Sequence, residues 1–268
     1  MKVALIGICR YANEYVEEWI NHYLSIGIDH IYLCDNNDVN DDSLEHLLFN
    51  KFKNVSLINL RSDPHPSFIE LQDKAYTTLY QLYSEFYDYI CFFDIDEFLI
   101  LNKDNTIQEY LSRPMFNGVS QIHVPWLVYD DNDLVYNDGR PVLQRFTRVS
   151  QKYYDIYKNY GNGIKSIVKT NLNIKFITPH TSISIDDNQN FVTVDNNGNI
   201  YDSMWSSHSW VSYDYCQLNH YITKTAEEYL YKNHQTTDKQ LFVDNFFKIN
   251  KDTPEKRKLI NVSELTQR

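Results

Sequence analysis

The chain has 268 residues, of which 43% are hydrophobic and 15% aromatic, and its formal net charge is −11. This length and composition exclude wholesale disorder and allow one large domain with a substantial core. The acidic balance argues against a nucleic-acid partner, because binding to a phosphate backbone needs a basic surface.

Cysteine spacing and hydropathy bear on where the protein works. The four cysteines are far apart and lie in apolar stretches, so we expect buried thiols in a reducing compartment. No apolar run approaches the ~20 residues needed to cross a bilayer, and no signal-peptide pattern precedes the first strand. We therefore expect a cytoplasmic protein. The basic run Lys256–Lys258 is interpreted as a solvated tail, with peripheral contact to the inner face of an anionic membrane as the alternative.

The first hundred residues alternate predicted strands and helices. Strands are predicted at 3–9, 30–34, 55–60 and 89–93, and helices at 13–26, from 41 or 42 to 49, and at 67–86. This alternation indicates an α/β fold with a mostly parallel central sheet. Ligands of such sheets bind beyond the carboxyl ends of the strands. Because Arg10, Asp35 and Asp94 all follow predicted strands, we expect them at one edge of the sheet.

The pattern changes after residue 118. Strands of mixed polarity are predicted at 119–129, 141–149, 164–169, 174–178, 191–194 and 216–221, with Asn- and Asp-rich turns between several of them. Helices are predicted at 226–233 and 241–249. We expect one domain over residues 1–222, with a mixed β region, and a helical extension over 223–268 packed on the same domain.

The most informative motif is Phe93-Asp94-Ile95-Asp96-Glu97-Phe98-Leu99, which places three carboxylates inside an apolar run. Buried carboxylates are costly unless a partner offsets their charge. Two aspartates one residue apart at the end of a strand can bind a divalent cation, and that cation can hold a phosphorylated ligand. A solvated acidic turn between two strands is the alternative interpretation.

Several further motifs, in chain order, resemble those of glycosyltransferase family 92 and its bacterial family-2-like relatives. The similarity extends from residue 3 to about residue 233. The motifs are Asn13-Glu14-Tyr15, Glu18-Trp19-Ile20, His22-Tyr23, Gly27-Ile28-Asp29-His30, Tyr32, Asp35-Asn36-Asn37 with Asp41, Gln72 and Tyr76, the acidic motif itself, Pro125-Trp126, Lys165-Ser166-Ile167, Pro179-His180, Asn219-His220-Tyr221, and Lys224, Glu227, Glu228 and Lys232. After Trp126 the chain departs from the family pattern, because Tyr129-Asp130-Asp131-Asn132-Asp133 replaces a Phe-Gly and a loop of small residues.

The resemblance implies a GT-A fold, a nucleotide-sugar donor that is UDP-linked, and Mn²⁺ or Mg²⁺ as cofactor. Asp94 and Asp96 would bind the cation, since hard oxygen ligands suit these ions. A single imidazole would complete the site, with His220 as first choice and His180 as second. The acceptor would be a glycan or glycolipid in cell-surface polysaccharide or glycoconjugate synthesis, and galactose is the favoured sugar.

Other residues are assigned donor roles on the same basis. Asp35 would accept a hydrogen bond from uracil or ribose, or else only form an Asx turn. Arg10 and Glu14 would contact the nucleotide, or else be a surface arginine and a helix cap. Lys165 would neutralise a phosphate, or else be a solvated strand lysine.

Family 92 members resemble inverting enzymes, which need a general base for the acceptor hydroxyl. Asp131 is the candidate, with Asp130 beside it, and Glu97 is a rival. A simple turn is the alternative for the two aspartates.

Two other functions fit the acidic motif. A Mg²⁺-dependent phosphatase or nuclease could use the same Asp-x-Asp strand, although Glu97-Phe98 departs from the phosphatase pattern and the acidic charge opposes DNA binding. A non-catalytic carbohydrate-binding protein could retain the fold without the reaction.

Overall fold

The computed structural model describes residues 1–48, 50–61, 68–157, 162–201, 207–208, 211–233 and 238–260. The helices over these residues are α1 (Val16–Ser25), α2 (Leu44–Leu48), α3 (Phe68–Tyr83), α4 (Ile107–Leu111), α5 (Val142–Arg145), α6 (Gln151–Tyr157), α7 (Ala226–Lys232), α8 (Lys239–Ile249) and α9 (Pro254–Ile260). The strands are β1 (Val3–Cys9), β2 (His30–Asp35), β3 (Val55–Asn59), β4 (Tyr89–Phe92), β5 (Glu97–Leu101), β6 (Gln121–Val128), β7 (Asn162–Lys169), β8 (Ile174–Thr178), β9 (Thr181–Ser184), β10 (Thr193–Asp195), β11 (Ser207–His208) and β12 (Cys216–His220).

The main sheet has the strand order β3-β2-β1-β4-β7-β6-β12-β5. Strands β1 to β4 pair in parallel, and β7 runs antiparallel to both β4 and β6. This is the α/β architecture that the alternation of strands and helices predicts, and it agrees with the GT-A class.

Strand β1 is buried along its whole length because helices cover both of its faces. Ala4, Ile6 and Ile8 join a core cluster with α3 residues such as Tyr76 and Tyr80. On the other face Trp19 of α1 lies so close to Gly7 that a Cβ at that glycine would stand 2.7 Å from the indole ring. All four cysteines are buried and free, as the sequence predicts.

The contacts divide the chain into two units. The first comprises residues 1–126 and 160–218, and the second comprises 127–159 and 219–268. The second unit therefore combines an internal segment with the C-terminal helices, whereas the sequence suggested a single boundary near residue 222. Its core contains Val135 from the internal segment together with Tyr229, Phe242 and Phe246.

Several predicted elements need correction. The strand predicted at 141–149 is wrong: α5 occupies Val142–Arg145, and only Val149 forms an isolated bridge, with Tyr129. Helices α4, α6 and α9 were not predicted. The predicted ends of two helices at residues 49 and 67 lie outside the described residues. Over the part of the chain described, no helix is long and apolar enough to cross a membrane.

Candidate functional site

The carboxyl ends of β1, β2 and β4 meet at one edge of the sheet. The register pairs Cys9 with Asp35, and the amide of Phe93 donates to Ile6 O, so Asp94 follows directly. Lys165 of β7 lies opposite Val124 of β6 near the same edge. The strand order thus gathers residues that are up to 155 positions apart in the sequence, from Arg10 to Lys165.

The acidic motif forms a tight turn between β4 and β5. The amide of Glu97 donates to Asp94 O at 3.0 Å, and the Glu97 carboxyl accepts from the amide of Asp94 at 2.8 Å. Trp19 Nε1 donates to both Asp94 O and Glu97 O, at 2.9 and 3.0 Å. Asp96 is only 6% exposed and Glu97 is fully buried, so this turn between two strands is not solvated.

Three side chains hold the Asp94 carboxylate. Lys165 Nζ lies 2.7 Å from Oδ2, and Gln72 Nε2 of α3 donates to Oδ1 at 2.7 Å. The Tyr76 hydroxyl, one helical turn after Gln72, lies 3.2 Å from the same Oδ1. The Asp94 side chain is 29% exposed, whereas Lys165 is completely buried. Lys165 is therefore neither a solvated strand lysine nor a surface group: it lies beneath Asp94.

Electrostatics in this cluster depend on Lys165. Burial raises the pKa of Asp94, but the charge and hydrogen bond of Lys165, together with the charge of His180, hold that pKa below its ordinary value. Burial raises the pKa of Glu97 well above its ordinary value, and the charges of Asp94 and Asp96 add to this effect against that of Lys165. The Glu97 carboxyl fixes the turn by accepting from the amide of Asp94.

The sequence analysis gave no role to Asp73, and it did not foresee the partner of Lys165. Asp73, next to Gln72 on α3, has one buried oxygen without a hydrogen-bond partner; burial raises its pKa and the charge of Lys165 lowers it. Lys165 was assigned to a phosphate of the donor, whereas the structure pairs it with Asp94. A lysine inside an apolar strand needs a buried carboxylate partner, which sequence reasoning could have sought in Asp94.

The ends of β1 and β2 carry the other predicted donor residues. Both oxygens of Asp35 are engaged locally: Oδ1 accepts from the amide and side chain of Asn37, and Oδ2 accepts from the amide of Leu44. Asp35 is thus an Asx turn that also caps α2. Arg10 pairs with Asp38 at 3.1 Å, and Glu14 is exposed in the short 3₁₀ turn that precedes α1.

Asn36 lies between these residues with an unsatisfied side chain. It is completely buried, and neither Nδ2 nor Oδ1 has a hydrogen-bond partner. Most buried side-chain amides are paired, so a group of this kind calls for a water or ligand partner. The sequence placed Asn36 in a motif but gave it no role.

His180 belongs to the first unit, as Asp94 does. Its Nδ1 lies 2.8 Å from Ile164 O, and since a carbonyl only accepts, Nδ1 carries the proton. The His180 ring also lies edge-on to Trp126, and its charge acts on Asp94. His220, the preferred ligand from the sequence, ends β12 in the second unit and is 7% exposed.

The predicted bases Asp130 and Asp131 also lie in the second unit. Asp131 is completely buried and pairs with Lys256 Nζ at 2.6 Å, while Asp130 pairs with Arg148 at 2.7 Å. Burial raises the pKa of Asp131 against the effect of Lys256. These contacts favour the alternative interpretation, a turn with a structural role.

The basic run at the C-terminus is largely used inside the second unit. Lys256 is 1% exposed, and Arg257 pairs with Asp252. The burial of Lys256 and the ion pair of Arg257 reduce the positive charge that this run offers to a membrane surface.

Comparison with known families decides the class of the protein. The family model described as glycosyltransferase family 92 matches residues 10–267. The chain belongs to glycosyltransferase family 92. The protein is therefore a glycosyltransferase, and its family gives no support to the phosphatase and nuclease alternatives.

Other comparisons add little to this assignment. The family 92 protein is similar to the solved structure of S. aureus TarS, residues 1–349, in complex with UDP-GlcNAc. The two share 12% sequence identity with a TM-score of 0.39, over 97% of this chain and 70% of the other. At this TM-score the likeness carries no mechanistic argument. No curated protein matches the chain.

The contacts of Asp94 do not fit a cation that is bound by both Asp94 and Asp96 of this glycosyltransferase. Lys165 and Gln72 engage the two oxygens of Asp94. Within the described ranges, no group of three or more His, Cys, Asp or Glu side chains is arranged to hold a metal ion.

Proposed function

We propose that this family 92 glycosyltransferase moves a sugar, with galactose favoured, from a UDP-sugar to a hydroxyl group of a glycan or glycolipid, with inversion at the anomeric carbon. The setting would be cell-surface polysaccharide or glycoconjugate synthesis. Family membership supports glycosyl transfer. The donor, the acceptor and the stereochemistry rest on the family resemblance described above.

The observation that carries the proposal is the oriented carboxylate of Asp94 at the edge where ligands of such sheets bind. Lys165, Gln72 and Tyr76 fix its oxygens, and Glu97 fixes its backbone. A fixed, ionised carboxylate that is 29% exposed can accept further hydrogen bonds from the hydroxyl groups of a sugar or ribose. Preorganised polar groups of this kind orient a substrate without reorganising during the reaction.

Asp96 and Asn36 complete the donor side of the proposal. Asp96 supplies the second carboxylate of the turn, and we assign to it the divalent cation that the resemblance implies. The unpaired amide of Asn36, beside Asp35 at the end of β2, supplies a donor and an acceptor that suit a uracil ring. Arg10 is a nearby cation at this edge, and it would have to exchange its Asp38 contact for a phosphate.

The proposal is tested by nucleotide release from a panel of UDP- and GDP-sugars, with MnCl₂, MgCl₂ or EDTA. We expect release from a UDP-sugar, and a loss of about 100-fold or more in kcat/KM for Asp96→Asn, the order found when one preorganised polar group is removed. Asp187→Asn is the matched control, since Asp187 is an exposed acid in a turn of the same unit. It should leave turnover unchanged.

Two results would contradict the proposal. If Asp96→Asn turns over as fast as the wild type, the acidic motif takes no part in the reaction. Sugar binding without release of nucleotide from any donor would favour the non-catalytic carbohydrate-binding protein.

A further inference from the structure

We infer that Asp38 competes with the phosphate groups of the nucleotide for Arg10, so that donor binding exchanges an internal ion pair for an external one. The exchange takes place at the proposed donor site, and it therefore rests on the proposed function for the choice of UDP as ligand. The consequence is that Asp38 lowers the affinity of the free protein for its nucleotide.

Two consecutive side chains after β1 hold the Asp38 carboxylate. Arg10 Nη2 lies 3.1 Å from Oδ1, and the Tyr11 hydroxyl donates to Oδ2 at 2.5 Å. The same nitrogen of Arg10 also donates to the Tyr11 hydroxyl at 3.1 Å, and the guanidinium lies over the Tyr11 ring, 4.9 Å from its centroid. A guanidinium binds a carboxylate and a phosphate through the same N–H donors. Asp38 therefore occupies a donor of Arg10 that a phosphate would use.

The ion pair lies at the sheet edge where ligands of α/β sheets bind. Arg10 directly follows β1, and Asp38 lies three residues after the end of β2. The side-chain amide of Asn36, in the same loop after β2, is buried and lacks a hydrogen-bond partner. The next residue, Asn37, accepts from the amide of Tyr11 at 2.8 Å and so joins the two loops. Because a buried amide of this kind calls for a water or a ligand, Asn36 points independently to ligand binding beside the pair.

A second arginine holds the backbone of the loop that carries Asp38. Arg61 Nη2 donates to the carbonyls of Asp38 and Val39, at 2.7 and 3.2 Å, and also to that of Asp41. These hydrogen bonds involve main-chain oxygens and do not depend on the Asp38 carboxylate. The backbone of the loop can therefore stay in place when Asp38 releases Arg10, and the exchange needs only side chains to move.

Partial exposure allows a phosphate to displace the carboxylate. The Arg10 side chain is 19% exposed and that of Asp38 is 25% exposed, so water reaches both members of the pair. Ion pairs in contact with water contribute little to stability, and a phosphate brings more charge and more acceptor oxygens than a carboxylate. The released Asp38 carboxylate stays negative and repels the bound phosphate. Both the broken pair and this repulsion weaken nucleotide binding, and removal of the Asp38 charge should strengthen it.

The test measures the binding of UDP and of uridine by isothermal titration calorimetry. Asp38→Asn keeps the shape of the side chain without its charge, and it should tighten UDP binding about three- to tenfold. Uridine has no phosphate and should show no gain. Asp38→Ala is a second variant that should show the same gain for UDP. In an Arg10→Gln background, Asp38→Asn should give no gain, because the two side chains act as a pair.

A matched control breaks another aspartate–arginine pair of the first unit. Asp104 lies 2.8 Å from Arg113, away from the ends of β1 and β2, so Asp104→Asn should leave the affinity for UDP unchanged. Thermal unfolding of each variant shows whether it is folded and how much stability the broken pair supplied.

Competition by Asp38 is overturned if Asp38→Asn binds UDP no more tightly than the wild type, if neither protein binds UDP, or if uridine gains as much as UDP. It is also overturned if the gain persists without Arg10. A lower Tm together with weaker UDP binding would show that Asp38 only joins the two loops. Failure of the proposed function looks different: no UDP-sugar would release UDP, while the affinity for UDP would still depend on Asp38.

Discussion

At the scale of single residues, the acidic motif separates into three different groups. Burial raises the pKa of Glu97 well above its ordinary value, whereas the pKa of Asp94, beside Lys165, is lowered despite burial. Asp96 lies between them in the sequence and is 6% exposed. Their neighbours explain the difference, because each carboxyl meets a different balance of burial, charge and hydrogen bonds. Three acids within four residues of the sequence thus lie in three different environments.

The buried Glu97 carboxyl, whose pKa burial raises, yields a prediction. Glu97→Gln should change the free energy of unfolding by less than about 1 kcal/mol, because a neutral amide of the same shape keeps the acceptor for the amide of Asp94. Glu97→Ala leaves that buried amide without a partner and should cost about 1–3 kcal/mol or more. Urea denaturation at pH 7 measures both. Equal costs for Gln and Ala would show that Glu97 is charged in the folded protein.

At the scale of elements, strands β6 and β7 meet at a glycine. A Cβ at Gly163 would lie 2.0 Å from the ring of Trp126, so the indole lies directly on the β7 backbone. The Trp126 carbonyl accepts from Asn162 Nδ2 and from the Tyr213 hydroxyl, at 2.5 and 2.9 Å. The glycine and these two donors together set the position of Trp126 beside His180.

This contact predicts a steric cost that depends on Trp126. Gly163→Ala should lower the free energy of unfolding by about 1–3 kcal/mol, because the ring must move away from the added methyl group. In a Trp126→Ala background the same change should cost much less, since the space is then open. Urea denaturation of the four proteins in this cycle measures the difference. If Gly163→Ala costs the same free energy of unfolding in both backgrounds, the added methyl group does not clash with Trp126.

Local sequence pattern predicted the elements that are buried on both faces and missed those held by distant partners. Strands β1, β2 and β4 are apolar runs, and their order along the chain fixed the edge where Asp94 lies. Helix α5 was predicted as a strand, because its Val-Leu pattern does not show that Arg145 pairs with Glu228, 83 residues later. The Lys165–Asp94 pair was missed for the same reason, since 71 residues separate its members.

At the scale of the whole molecule, buried ion pairs hold the second unit together. Lys256 of α9 pairs with Asp131, and Arg145 pairs with Glu228 at 2.7 Å. Asn250 adds hydrogen bonds to the Asp131 amide and to Thr223. The C-terminal helices thus anchor the internal segment through charges that have little access to water.

Burial makes these pairs sensitive to the loss of one member. Lys256→Met should lower the free energy of unfolding by about 3–5 kcal/mol, because Asp131 is then buried and unpaired. Arg148→Gln breaks a pair whose arginine is 47% exposed, and it should cost only about 0–1 kcal/mol. Urea denaturation compares the two. Similar costs for both variants would contradict a structural role for the Lys256–Asp131 pair.

The split composition of the second unit has a consequence for biosynthesis. A ribosome completes residues 127–159 about sixty residues before it begins the stretch from 219 onward, with which they pack. Until that stretch emerges, the nascent chain carries Val135 and Asp131 without the C-terminal residues that pack against them. Because domains generally fold as units during translation, maturation of this enzyme should wait for the last helices to leave the exit tunnel.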